Sequence, residues 1–214
     1  MSSILVRRAN MVAAGSTPSR LPAGYTELAY IEGTGTQYID TGKVFNSNYK
    51  YKFKFKRNNT SNTPFAGYRT ASSATSGQNC TFSFSGSNDA LTYATASASA
   101  GISLGAKNTD EHEIVFSPSD HLLTYDGTSK WNNSWTTSEV ISTMNFYLFV
   151  DNRPSMVSPM NGRFYYYQVY NGNVLVQDLV PAMRDSDSVA GMYDLVSNTF
   201  LTNAGSGTFN YGTL

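Results

Sequence analysis

The stretch at residues 162–181 restricts the fold of this chain more than any other part of the sequence. Two runs of aromatic and β-branched residues, 164–170 and 174–180, are separated by Asn171, Gly172 and Asn173. Asparagine and glycine tolerate the positive φ angles that tight hairpin turns require. The pattern predicts a β-hairpin that turns at Asn171-Gly172. Pro181 has no N–H to donate and is expected to end the second strand.

Side chains on a strand point alternately to the two faces of its sheet. Strict alternation sorts the first run onto two faces, with Phe164, Tyr166, Gln168 and Tyr170 on one and Tyr165, Tyr167 and Val169 on the other. Both faces are largely apolar, as in a strand in the middle of a sandwich. The tyrosines of this hairpin are therefore expected to lie in the core.

A second strand pattern occurs at residues 49–57, where aromatic residues and lysines alternate. The alternation predicts a strand with one solvated face. Its charged row consists of Lys50, Lys52, Lys54 and Lys56. We expect this row to be a solvated face that also protects a sheet edge. The alternative is a patch that binds anions or acidic polysaccharides.

The composition limits the class of protein. A length of 214 residues suits one all-β domain, or one domain with an arm. The formal net charge is +0, which favours neither nucleic-acid binding nor a membrane-surface role. The single cysteine, Cys80, excludes an internal disulfide and a cysteine-built metal site, and it is expected to be a small buried apolar residue. No apolar run approaches the length of a membrane span, so no membrane insertion is expected.

Residues 1–20 differ from the rest and are predicted to form an N-terminal arm and linker, followed by one domain over residues 21–214. The arm has an apolar and basic stretch and then a Gly/Ser/Thr/Pro joint. No uninterrupted apolar run follows its arginine pair, so a signal peptide is not expected. The residues predicted to dock on a partner are Ile4, Leu5, Val6, Arg7 and Arg8.

Between these landmarks lie short strand patterns separated by Ser-, Gly-, Asn- and Thr-rich loops. No stretch has a convincing helical pattern, and residues 97–101 are assigned to a low-complexity loop. About a dozen short strands with closely spaced turn signals predict an all-β sandwich.

Three segments resemble laminin-G-like modules of the concanavalin A-like type, which occur in bacteriophage virion proteins and in surface proteins of gut bacteria. They are the opening LPAGYTELAYIEGTGTQYIDTG at residues 21–42, the hairpin at 111–127 and the ending at 189–209. The resemblance extends over residues 21–212 and implies a concanavalin A-like jelly-roll β-sandwich. Gly33 stands where family members carry a serine, a difference that is expected to change little.

The sequence does not predict an enzyme. Related sandwiches that cut β-glucans carry a Glu-x-Asp-x-x-Glu strand, and none of the five glutamates of this chain matches that spacing. Glu111 and Glu113 share one strand face and are expected to be exposed. The sequence also lacks a Gly-x-Ser-x-Gly elbow and a phosphate-binding loop.

Two groups of residues are candidates for metal binding, and no cofactor is predicted. His112 and His121, the only histidines, are expected on neighbouring strands of one hairpin, but a zinc site needs further ligands. Calcium occurs in some modules of this type, and the aspartates in turns are alternatives as ligands or as turn formers. These aspartates are Asp126, Asp151, Asp185 and Asp187.

The predicted carbohydrate-binding loop consists of Trp131, Asn132, Asn133 and Trp135. Sugars stack their C–H faces on exposed aromatic rings, while amides bond their hydroxyls. The alternative is that one or both tryptophans cap the core.

Three functions fit these observations. The first is a non-enzymatic virion structural protein, a capsid decoration, fibre or tail component that is attached through its arm to other virion proteins, forms a homo-oligomer in the particle and binds host glycans. The second is a carbohydrate-binding module of a protein on the bacterial cell surface. The third, a glycosidase, is disfavoured by the missing carboxylates.

Overall fold

The computed structural model describes residues 19–71, 78–85, 87–95, 98–131 and 139–214. Within these ranges the chain forms seventeen strands, numbered β1–β17 in chain order, and no helix. They build two sheets that pack face to face as a β-sandwich and pair antiparallel, except for one short parallel pairing. The all-β prediction is thus confirmed. No described segment forms a helix that could span a membrane.

The larger sheet has ten strands. Across the sheet they are β10 (Thr128–Ser129), β9 (Leu122–Tyr125), β8 (Glu111–Ser117), β3 (Tyr49–Arg57), β13 (Asn161–Asn171), β1 (Tyr25–Thr34), β14 (Val174–Arg184), β15 (Val189–Asp194) and β16 (Thr199–Leu201), with β17 (Asn210–Thr213) beside β1. The lysine-bearing strand β3 lies between β8 and β13. It is therefore not an edge strand, and the edge-protection role expected for its lysines is wrong.

The smaller sheet has seven strands. Across the sheet they are β2 (Ile39–Asn46), β11 (Ile141–Leu148), β4 (Ala66–Arg69), β5 (Asn79–Ser85), β6 (Asn88–Thr95) and β7 (Ala98–Ala106), with β12 (Asp151–Asn152) parallel to β4. Strand β7 pairs with β6 from Ala98 onwards, so the loop predicted for residues 97–101 is wrong over residues 98–101, while Ser97 lies outside the described residues. Small Ala, Ser and Gly residues have weak strand propensity, and pairing with a neighbour overrides it.

The predicted hairpin is β13–β14, near the middle of the larger sheet. Its turn is shifted by one residue from the prediction, because Asn171 pairs with Val174 and the two loop residues are Gly172 and Asn173. Of these two, only Gly172 has a positive φ, of 57°. A glycine at the first central position fits a type II′ turn, whereas an Asn-Gly centre would be type I′.

A bulge in β13 changes which tyrosines are buried. Phe164 pairs with Phe55 and Tyr166 pairs with Lys54, so Tyr165 is the additional residue. The bulge turns Tyr165 and Tyr166 to the same, outer face, while Tyr167 is completely buried. The strict alternation predicted for this strand is therefore wrong, and so is the core position expected for Tyr165, Tyr166 and Tyr170, which are half-buried.

Pro181 does not end β14, which continues to Arg184. The strand pairs with β13 as far as Leu179 and with β1 from Ala182, while Pro181 itself pairs with Met192 of β15. Pro181 thus lies where β14 exchanges one neighbour for another. Because Pro181 has no N–H group, it can occupy this position without the loss of a hydrogen bond to β13 or β1.

The core between the sheets is largely aromatic. The rings of Phe45, Tyr51 and Phe146 stack at centroid distances of 5.1–6.4 Å, and Phe53 meets Phe82 edge-on at 5.1 Å. Cys80 is fully buried among them, as predicted. Packing of this kind makes the sandwich a rigid support for its outer faces.

Candidate functional site

The outer face of the larger sheet carries a continuous set of half-exposed polar and aromatic side chains, which we call the tyrosine–lysine face. Strands β3, β8 and β13 supply it, because their alternate residues Tyr51, Phe53 and Ile114 are buried in the core. The residues of the face are Lys50, Lys52, Lys54, Glu111, Glu113, Tyr165, Tyr166, Gln168 and Tyr170.

Each of the first three lysines of β3 lies over a tyrosine ring of β13. The distances from Nζ to the ring centroid are 4.9 Å for Lys50 and Tyr170, and 5.6 Å for Lys52 and Tyr166. Lys54 lies 5.1 Å from the ring of Tyr165. Cation–π attraction at these distances holds the rings and ammonium groups in a fixed pattern.

Carboxylates of β8 continue the pattern across β3. Lys54 Nζ lies 2.6 Å from a Glu111 oxygen, and Lys52 Nζ lies 3.3 Å from a Glu113 oxygen. The Tyr166 hydroxyl donates to Glu113. Glu111 and Glu113 are therefore each bonded to one ammonium group and one phenol of the face.

These contacts affect the ionisation of the face. The hydrogen bond from Lys54, followed by one from Tyr165, lowers the pKa of Glu111. Burial, and after it the hydrogen bond to Glu113, raises the pKa of Tyr166, and burial with Glu111 does the same for Tyr165. At neutral pH the phenols are thus neutral donors and Glu111 is an anionic acceptor.

The predicted tryptophan loop is described only in part. The Trp131 ring is half-buried, packs against the core and stacks on His121 at 5.2 Å with an interplanar angle of 18°. Asn132, Asn133 and Trp135 lie outside the described residues, so this site stays a prediction. The same holds for the docking residues of the arm, Ile4, Leu5, Val6, Arg7 and Arg8.

The structure does not bring the two histidines together. His112 lies near one end of the β8–β9 hairpin, and His121 lies in the turn at the other end. His112 Nδ1 is 2.7 Å from Asp126 Oδ2, and its Nε2 is 2.8 Å from Asn108 Oδ1. These contacts of His112 stabilise the hairpin. The alternative of a zinc site that uses both histidines is wrong.

The aspartates that were candidates for calcium ligands form hydrogen bonds or ion pairs within the protein. Asp151 is fully buried and accepts hydrogen bonds from Arg69 and Arg153, which oppose a bound cation. Asp185 accepts a hydrogen bond from Thr26, and Asp187 pairs with Arg184. Among the described residues, no three or more His, Cys, Asp or Glu side chains are grouped to hold a metal ion.

A cavity of about 740 Å³ lies between β15 and the C-terminal segment, lined in part by Val189, Phe209 and Tyr211. Two of its polar side chains, Asp187 and Asn203, have partners within the protein. Asn203 accepts from the backbone N–H of Tyr38 at 3.1 Å and donates to Gly207. None of the described lining residues is a lysine or an arginine, so the cavity lacks the paired rings and ammonium groups of the tyrosine–lysine face.

No protein-family model matches this chain, and comparison with curated proteins finds no similar sequence. The resemblance to laminin-G-like modules thus remains a prediction from the sequence. The sandwich architecture is consistent with it, and the functional argument depends on the geometry of the site itself.

The sequence contained two signals for the tyrosine–lysine face, namely the lysine row and the tyrosine run. Neither signal indicates the other, because the pairing of β3 with β13 joins residues more than a hundred positions apart. The bulge also places Tyr165 on the same outer face as Tyr166 and Tyr170.

Proposed function

We propose that this chain is a non-enzymatic structural protein of a bacteriophage virion, a capsid decoration, fibre or tail component, that displays its sandwich and contacts host-surface glycans through the tyrosine–lysine face. The observation that carries the glycan part is the row of half-exposed rings, each next to an ammonium group, on the middle strands of a rigid sheet. The virion part depends on the family resemblance and on the composition of residues 1–20.

The chemistry of the face suits a polysaccharide. Aromatic rings provide apolar surface for the C–H faces of sugars, and the ammonium, carboxylate and amide groups beside them bond hydroxyls. Gln168 takes part in such a network, since it donates to Asp178 at 3.1 Å and accepts from Tyr170 at 3.0 Å. The lysines favour acidic polysaccharides, in agreement with the alternative interpretation of the lysine row as a patch that binds anions.

The same carboxylates argue against hydrolysis. A glycosidase needs a carboxylic acid whose pKa is raised, so that it can protonate the leaving oxygen. Glu111 has a lowered pKa next to Lys54, and Glu113 is held by Lys52 and Tyr166. We expect no release of reducing sugar from any bound polysaccharide, with Glu111→Gln giving the same result as the wild type.

Attachment to the particle is assigned to residues 1–20, with other virion proteins and further copies of the chain as partners. Deleting residues 2–19 is expected to leave the melting temperature unchanged while abolishing incorporation into particles. A large drop in the melting temperature of the isolated domain would contradict attachment and show that these residues belong to the sandwich.

The glycan part is tested on an array of bacterial surface polysaccharides. The wild type is expected to bind a subset of acidic polysaccharides, and Tyr166→Ala combined with Tyr170→Ala is expected to lose the signal. Tyr211→Ala is the control, because Tyr211 is an exposed tyrosine outside the face. Unchanged binding in the double variant would overturn the assignment, and its loss in Trp131→Ala alone would favour the tryptophan loop. Binding without incorporation into particles would favour a bacterial surface module.

A further inference from the structure

A second pocket, of about 380 Å³, lies on the smaller sheet beside β4. Two arginines line it, Arg69 at the end of β4 and Arg153 just after β12. Polar residues complete much of the lining, among them Asn62, Ser83 and Ser158. We call it the two-arginine pocket.

Both guanidinium groups share a single carboxylate. Asp151 Oδ2 accepts from Arg69 Nε at 2.7 Å and from Arg153 Nη2 at 2.6 Å, and Asp151 Oδ1 accepts from Arg153 Nε at 2.6 Å. Thr81 also donates to Oδ2, at 3.1 Å. Two cations and one anion leave an uncompensated positive charge, and the carboxylate is fully buried behind its donors.

The remaining donors of the pocket are available to a ligand. Among the described residues, Arg69 forms hydrogen bonds through Nε, and Arg153 through Nε and Nη2. The Asn62 amide oxygen accepts from Lys107 at 2.6 Å, which leaves its NH₂ group to donate. The side chain of Arg69 is only 9% exposed, so the donor is held rigidly within the protein.

Burial lowers the pKa of the Arg69 guanidinium, and the charge of Arg153 lowers it further, against the opposing effect of Asp151. A negative charge in the pocket would offset both. Planar guanidinium groups bind carboxylates and phosphates through charge-assisted hydrogen bonds, and each of these two arginines keeps N–H groups beyond those that Asp151 accepts.

We propose that the two-arginine pocket binds an oxyanion, presented either by the carboxylate of an acidic sugar or by free inorganic phosphate. The volume is in the range of small-molecule sites and admits a monosaccharide. This inference goes beyond the proposed glycan contact, because the pocket lies on the other sheet and shares no residue with the tyrosine–lysine face. Loss of binding at one of the two sites would therefore leave binding at the other unchanged.

The test is an NMR titration of the full chain at low ionic strength with D-glucuronate, D-glucose and inorganic phosphate. We expect D-glucuronate or phosphate to bind at least tenfold more tightly than D-glucose, with shifts at Arg69 and Arg153. Tighter binding of glucuronate identifies an acidic sugar as the ligand, and tighter binding of phosphate identifies the free anion.

Arg153→Gln is expected to weaken anion binding at least tenfold while Asp151 keeps Arg69 as its partner. Arg163→Gln is the matched control, since Arg163 also pairs with a carboxylate, Glu32, but on the larger sheet. Ser158→Asp provides a second variant that leaves the buried ion pair intact and places a negative charge in the lining, with the same expected loss. Anion binding no tighter than that of glucose, or unchanged in Arg153→Gln and Ser158→Asp, would overturn the proposal.

Discussion

Arg57 of the larger sheet and Asp89 of the smaller sheet form an ion pair inside the sandwich. Both side chains are almost completely buried, and the Tyr125 hydroxyl donates to Asp89 at 2.7 Å. The Arg57 guanidinium also lies over the rings of Phe55 and Phe65 at 5.8 and 5.3 Å. The pair joins the two sheets at a defined position.

Removing one member of this pair is expected to be costly. Burial lowers the pKa of Arg57, and Asp89 counteracts that effect. Asp89→Asn would leave a buried guanidinium without its counter-charge, so the free energy of unfolding should fall by about 3–5 kcal/mol. Chemical denaturation measures this change. Asp187→Asn breaks an exposed pair with Arg184 and serves as the control, for which little change is expected. Equal effects in both variants would show that the buried pair has no special role.

Gly33 is expected to be intolerant of the serine that the resembling family carries, in contrast to the small effect expected from the sequence alone. A Cβ at this position would lie 3.0 and 3.2 Å from ring atoms of Phe149. Phe149 is fully buried with a positive φ of 72° and packs against Phe164 at 4.8 Å, so it has little freedom to move. Gly33→Ser should lower the free energy of unfolding by about 1–3 kcal/mol. Gly101→Ser is the matched control, because no atom lies within 4 Å of a Cβ there. A neutral Gly33→Ser would contradict this packing.

The hairpin turn depends on backbone conformation alone. Gly172 has a φ of +57°, and no atom lies within 4 Å of the position of a Cβ. Gly172→Val should therefore cost about 1–2 kcal/mol through strain, whereas Gly172→Asn should cost less because asparagine, unlike a β-branched residue, occurs at positive φ in primed turns. Thermal unfolding of both variants tests the difference. Similar melting temperatures for the two would argue against the assigned turn.

Alkaline pH is expected to unfold the protein through its tyrosines. Burial raises the pKa of Tyr51 and Tyr167 well above the ordinary value, and burial with Asp40 raises that of Tyr147 to about 12. The fold favours the neutral phenol, so this contribution to stability is complete below about pH 10 and is lost as the pH rises through the folded-state values. Tyrosinate absorbance of the buried rings should appear together with loss of circular dichroism. Ionisation of Tyr51 and Tyr167 in a protein that keeps its native spectrum would contradict their burial.

Local sequence patterns predicted the all-β class, the β13–β14 hairpin and the solvated face of β3. Each of these depends on residues that are close in sequence, such as the alternation at residues 49–57. The lysines could be placed on one face because that strand has no bulge within the alternating run.

Features set by distant partners were missed. The bulge at Tyr165 arises from pairing with β3, and strand β7 exists because β6 lies beside it. The burial of Arg57 depends on Asp89, which is 32 residues away along the chain. Likewise, only the packing of Phe149 shows why Gly33 has no side chain. Periodicity carries no information about such contacts.

The central claim, that the tyrosine–lysine face binds glycan, is tested most directly by aromatic NMR spectra of protein labelled at tyrosine and tryptophan. Spectra are recorded with and without the polysaccharide that gives the strongest array signal. The account predicts shifts for Tyr165, Tyr166 and Tyr170 and unchanged signals for the buried Tyr51 and Tyr167. Shifts confined to Trp131 and Trp135, with the face tyrosines unchanged, would contradict it.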